Sequence, residues 1–91
     1  MNVNDVVTIV VSNGTEYVGK FRDETTDGYI IGNPHIVAPQ GESLGFMPTV
    51  AMTGEPRVGE VKFMKAGVIL MVKTAGEVEK EYIKASSGLI L

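Results

Sequence analysis

Apolar and polar positions alternate from Asp5 to Val37, DVVTIVVSNGTEYVGKFRDETTDGYIIGNPHIV, with the two-residue period of strands. Val6 to Val11 is a β-branched run, Asn13-Gly14 is a strong hairpin signal, and Glu16 to Arg22 alternates again, so the first two strands are expected to pair antiparallel. On the second strand Tyr17, Gly19 and Phe21 share one face, and Glu16, Lys20 and Arg22 share the other. The pattern predicts one packed face and one wet face. Thr25-Thr26-Asp27-Gly28 reads as a turn that returns the chain through Tyr29, Ile30 and Ile31. Pro34 follows, and its missing ladder donor predicts an edge or a bend.

The pattern changes between Ala38 and Gly59. Pro39, Pro48 and Pro56 alternate with Gly41, Gly45, Gly54 and Gly59, while Leu44, Phe46, Met47, Val50, Ala51 and Met52 are apolar. A punctuated stretch of this length predicts an insertion at about 38–59 within a single domain spanning 1–91. Its apolar side chains either cover one open end of the fold, or Phe46, Met47 and Met52 contact a neighbouring subunit or partner. Val61, Phe63 and the run Ala66 to Val72 then predict strand, the run being apolar enough for burial on both faces. Thr74 to Glu77 reads as a turn into Val78 to Ile83. Glu77, Glu79, Lys80, Glu81 and Lys84 also suit a helix, but the segment is short and its neighbours read as strand, so strand is expected. Leu89-Ile90-Leu91 is an apolar stub expected to pair with something.

Composition narrows the classes. The 91 residues suit one domain, in which only roughly 60 to 70% of the unfolded surface can be buried, so self-association would add apolar contact. With 44% hydrophobic and 21% charged residues the chain is expected to fold. The absence of Cys excludes disulfides and thiolate metal sites. A net charge of −3 leaves no basic footprint on the whole chain, although a local basic patch stays compatible with it. The first residues, MNVND, lack a basic region followed by an apolar core, and the longest apolar run is far short of the roughly 20 residues of a spanning helix. No membrane association and a cytoplasmic location are expected. Asn13-Gly14-Thr15 matches a glycosylation acceptor pattern that the hairpin already explains.

Candidate chemistry is sparse. Gly14 to Lys20 fits G-x-x-x-x-G-K, but Phe21 stands where a hydroxyl should bind magnesium, and the match lies in a hairpin. His35 is the sole histidine and, without Cys, completes no zinc constellation. Asp23, Glu24 and Asp27 are turn acids rather than a catalytic pair. No nucleophile, base and orienting group can be nominated together, so neither catalysis nor a metal or cofactor is expected.

The pattern VxIxVxNGxEYxGKF at Val7 to Phe21 resembles the first motif of Sm and LSm proteins, with Gly14 as the turn glycine and Gly19-Lys20-Phe21 as the G-x-[LF] core. Ile83 to Leu91, IKASSGLIL, resembles the second motif more loosely, with Lys84 in place of Arg and Ala85 in place of Gly. Ala38 to Glu77 is largely unmatched. The resemblance, which extends to the small Sm-like proteins carried by marine phages, implies a mainly β, small, strongly bent antiparallel Sm-like (SH3-like) barrel with a long central insertion. It also implies a homo-oligomeric closed ring that binds RNA or single-stranded DNA. The residues that frame the family's base pocket are replaced by Thr25 and by Gly28-Tyr29, so the usual uridine pocket is not reproduced. By position, the implied nucleic-acid site comprises Thr26, Asp27 and Tyr29 with Lys84, Ser86 and Ser87. Tyr29 would stack on a base or else pack as a strand residue, and Lys84 would meet a phosphate. A second reading is a phage structural or adaptor module that uses the same strand edges for protein–protein assembly.

Overall fold

The β-branched run forms strand β1 (Val6–Val11), and the Asn-Gly turn delivers it into β2 (Glu16–Glu24). Gly14 takes φ +88°, Gly14 N–H donates to Val11 O at 2.8 Å, and Thr15 N–H donates to Asn13 Oδ1 at 2.9 Å. Glycine is suited to that left-handed position. The Thr25–Gly28 turn follows as expected, its backbone held by Thr25 N–H to Gly28 O and by Gly28 N–H to Thr25 Oγ1. It opens β3 (Gly28–Gln40), which continues without a break past Pro34 and into the stretch read as insertion. The computed structural model describes residues 1–51, 53–56 and 58–87. Its remaining elements are β4 (Ser43–Met47), β5 (Glu60–Met64), a 3-10 turn (Lys65–Gly67), β6 (Val68–Lys73) and helix α1 (Gly76–Ser86).

The protein is mainly β, with 52% of residues in strand and 16% in helix, and among the described residues six antiparallel strands form one sheet that is not closed. The hydrogen-bonded order is β4-β3-β2-β1-β6, with β5 also on β3. β3 pairs Gly28 to Gly32 with β5 and Ile36 to Gln40 with β4, while β2 pairs along its other side. β4 and β5 therefore lie end to end along one edge of β3, separated in sequence by 48–59. The junction is Asn33-Pro34. There the β2–β3 register shifts between Val18 and Lys20, Asn33 takes φ +50°, and no ladder donor is required of the proline. Gly19 makes this close approach possible. A Cβ there would lie 2.5 Å from Ile31 Cγ2, 3.0 Å from Gly32 O and 3.1 Å from Pro34 Cα.

Both faces of the sheet pack, which corrects the expectation of one wet face. The inner face holds Val7, Ile9, Phe21, Ile31 and Phe63, with Tyr17 edge-on to Phe63 at 5.1 Å. Val50, from the excursion after β4, packs against this core, and its carbonyl accepts the Tyr17 hydroxyl at 3.1 Å. The outer face holds Val6, Val18 and Tyr82, flanked by Val37 and Phe46. Tyr82 comes from α1, so the segment Val78 to Ile83 is helix and not the strand its neighbours suggested. A strand would leave the outer face of β1 and β2 bare, whereas the helix seals it with one aromatic side chain.

A second correction concerns Ala66 to Val72. Ala66 and Gly67 belong to the 3-10 turn, and in β6 Ile69, Leu70 and Val72 are 62%, 44% and 49% exposed rather than buried on both faces. The β1–β6 register shifts between Val10 and Val11, where Val68 and Leu70 face Val11 and Val10, so Ile69 is the extra residue of a bulge. The stub at Leu89–Leu91 lies outside the described residues, as does Met52.

Tyr82 is wholly buried, and its hydroxyl donates to Asn33 O at 2.7 Å. Burial pushes the phenol up to about 12, although a hydrogen bond with Ser86 acts in the opposite direction. Below the ordinary value of 10.0 the phenol is protonated in both folded and unfolded chains. Between 10 and about 12 only the unfolded chain ionises, so stability falls as pH rises through that window. Tyr82→Phe should flatten this alkaline decline in denaturant-melt series while costing about 1–3 kcal/mol at neutral pH, because Asn33 O loses its donor. Tyr82→Ala should cost about 3–5 kcal/mol. Gly19→Ala should destabilise by about 1–3 kcal/mol in the same assay, because backbone as well as side chain must move.

Candidate functional site

The β2–β3 turn and the start of β3 carry three of the residues singled out from the sequence, Thr26 and Asp27 in the turn and Tyr29 on the strand. Asp27 Oδ1 lies 2.6 Å from Lys62 Nζ and accepts the Thr25 hydroxyl at 3.0 Å. The Lys62 hydrogen bond, followed by that of Thr25, holds the Asp27 carboxyl below the usual range. Lys65 Nζ lies 2.7 Å from Glu24 Oε2 and 5.4 Å from the centroid of the Tyr29 ring, and the Glu24 hydrogen bond raises its pKa. Tyr29 is half-buried against the inner core. Thr26 is exposed at the tip. The turn is thus a lattice of neutralised charge, with Lys65 over one face of the aromatic ring.

The resemblance implies a loop before a last strand for Lys84, Ser86 and Ser87, whereas Lys84 and Ser86 are in the final turn of α1 and Ser87 is its C-cap. Lys84 Nζ is 3.6 Å from Glu81 Oε1, both side chains being well exposed. The Ser86 and Ser87 hydroxyls donate back to Ile83 O and Lys84 O, and Ser86 O accepts the Asn33 side-chain amide at 3.3 Å. These contacts tie the helix end to the bend of β3. They satisfy the last helical carbonyls in the way a helix C-terminus requires.

Two features escaped the sequence reading. The first is the pair of open edges, β6 at one end of the sheet path and β4 with β5 at the other, with Leu70 and Val72 half-exposed on β6, and Met64, Leu44 and Met47 exposed on β5 and β4. The second is a groove of about 230 Å³ between β4 and the first half of α1, lined by Ser43, Leu44, Phe46, Glu77, Val78 and Glu81. The one available signal was Glu77, Val78 and Glu81 at helical spacing, which a strand reading scatters over two faces. Among the described residues no group of three or more His, Asp or Glu could hold a metal ion, and no helix is long and apolar enough to cross a membrane.

No protein-family model matches the chain, and no curated protein does so.

The Asp27–Lys62 pair is open to direct measurement. Its contribution is present above the ordinary carboxyl value of 3.8 and disappears as pH falls through the lowered folded value. In an NMR titration Asp27 should show a midpoint below 3.8, and Lys62→Met should move that midpoint upward.

Proposed function

We propose that the protein is an Sm-like assembly module whose copies join edge to edge, β6 of one against β5 of the next, into a closed ring. The observation that carries this reading is the open sheet. Among the described residues its two edges, at opposite ends of one hydrogen-bonded path, carry no further strand, and β6 exposes Ile69, Leu70 and Val72. Unpaired strand edges with apolar side chains are templates for another chain, and a head-to-tail contact that closes leaves no edge free. Counting β4 and β5 as two halves of one interrupted strand leaves five, the strand number of the Sm barrel that the resemblance at Val7 to Phe21 implies.

Charge at the β2–β3 turn and at the helix end favours protein over phosphate as the partner. Arg22, Lys62, Lys65 and Lys84 are each within 4 Å of a carboxylate, and the chain carries a net charge of −3. A phosphate backbone would have to displace those carboxylates. RNA or single-stranded DNA binding at Thr26, Asp27, Tyr29, Lys84, Ser86 and Ser87 rests on the resemblance alone, and repetition around a ring is what would make so modest a site effective.

Light scattering should return a multiple of 9.7 kDa, and Leu70→Lys with Val72→Lys should shift the protein to monomer with little change in its circular dichroism. A wild-type mass of one chain across a wide concentration range would refute the proposal. In parallel, affinity for single-stranded RNA and DNA homopolymers at low salt should be negligible. Saturable binding that weakens as salt rises, and that Tyr29→Ala reduces by roughly 1–3 kcal/mol per stacked base, would establish the nucleic-acid reading instead.

A further inference from the structure

The groove between β4 and α1 has a composition unlike that of the edges assigned to ring contact. Leu44 and Phe46 alternate along β4 and so share a face, which forms one wall, and Val78 supplies the opposing wall from α1. Glu77 and Glu81 stand one helical turn apart beside Val78, and no basic side chain lines the groove. Lys84 lies 3.6 Å from Glu81, whereas Glu77 makes no ion pair among the described residues. Phe46 is fixed from behind by Tyr82, whose ring centroid lies 6.3 Å away. β4 terminates the sheet path, pairing only with β3 among the described residues, so its outer edge carries no ladder, although Met47 O accepts Thr49 N–H at 2.7 Å.

We propose that this site docks an extended segment of a partner protein as an added strand on β4, with a basic side chain on each side of an apolar one along the face turned to the groove. Each part of that description follows from chemistry on the site. The free edge offers main-chain donors and acceptors at strand spacing, which is how an extended peptide gains register. Side chains of an added strand alternate, so every second one enters the space between β4 and α1. An apolar one meets Leu44, Phe46 and Val78, and basic ones two positions away meet Glu77 and Glu81. The volume of about 230 Å³ suits a few side chains and not a second helix. An acidic segment would add like charge beside two carboxylates.

The surface is separate from the β5–β6 contact, so monomer and ring should both bind. The probe is a fluorescein-labelled, amidated peptide, Arg-Thr-Leu-Thr-Arg, compared with Glu-Thr-Leu-Thr-Glu, with the Arg peptide carrying Pro for its central residue, and with arginine amide. Anisotropy should show saturable binding of the first alone, weakening as salt rises. Backbone amide shifts should move on β4 and the first half of α1. Glu77→Gln with Glu81→Gln should weaken binding about tenfold with the melting curve checked alongside, and the exposed Leu44→Thr provides a second variant that leaves the helix untouched. The monomeric Leu70→Lys, Val72→Lys variant should bind as wild type does, which separates this result from the fate of the ring. Absence of saturable binding up to about 1 mM, equal binding of the Glu peptide, or shifts confined to β6 would overturn the proposal. It would equally fall if arginine amide bound as well as the peptide, or if the same amides shifted with protein concentration alone, since the occupant would then be a small cation or a second copy.

Discussion

Three residues, Lys65–Gly67, join two strands that stand far apart along the hydrogen-bonded path. From β5 through β3, β2 and β1 to β6 there are four strand spacings, about 19 Å in a flat sheet. Even a fully extended link from Met64 to Val68 reaches only about 13–14 Å, and a 3-10 turn reaches less. The sheet must therefore curl. That single constraint places Phe63 of β5 in one cluster with Val7 and Ile9 of β1, and it turns a meander with one apolar face into an enclosed core. Among the described residues the two edges are left unpaired, and β6 keeps Ile69, Leu70 and Val72 exposed.

The curl creates an outer face that needs its own cover. Helix α1 supplies it through one fully buried residue, Tyr82, whose hydroxyl reaches the carbonyl of Asn33 at the bend of β3. His35 lies beside the same ring, its centroid 5.4 Å away, with Nδ1 3.0 Å from Asn33 O. The Thr8 and Thr74 hydroxyls, 2.9 Å apart, link the approach to α1 to β1, and the Asn33 amide holds the far end through Ser86 O. Bend and helix thus stabilise one another, since the left-handed Asn33 presents the groups that anchor the helix, and the helix buries the register shift that Pro34 requires.

Function follows from what this architecture leaves unsatisfied. The polar turn at Thr25–Tyr29 is internally paired and offers little to an incoming ligand. The strand edges and the groove beside β4 offer more, because backbone groups and apolar surface remain unpaired there. The proposed contacts with other polypeptide rest on those edges and on that groove.

Local chemistry determined the first half of the fold. β-branched alternation, Asn13-Gly14 and Thr25–Gly28 specify β1, β2, their turns and the start of β3, because strand period and turn conformation depend on residues only a few positions apart. Thr26 and Asp27 lie in the expected turn and Tyr29 in the expected strand after it, and Pro34 sits where the β2–β3 register shifts. The second half depended on partners that are distant in sequence. Val78 to Ile83 suits either helix or strand by propensity, and burial of Tyr82 against Val6 and Val18 decided for helix, carrying Lys84, Ser86 and Ser87 to a helix end. Apolar character in Ala66 to Val72 could not reveal that β6 is an edge, since exposure is a property of the sheet's neighbours and not of the strand. Only the tertiary structure joined β4 and β5 along β3, because the ladder that aligns them belongs to a strand on the far side of an insertion.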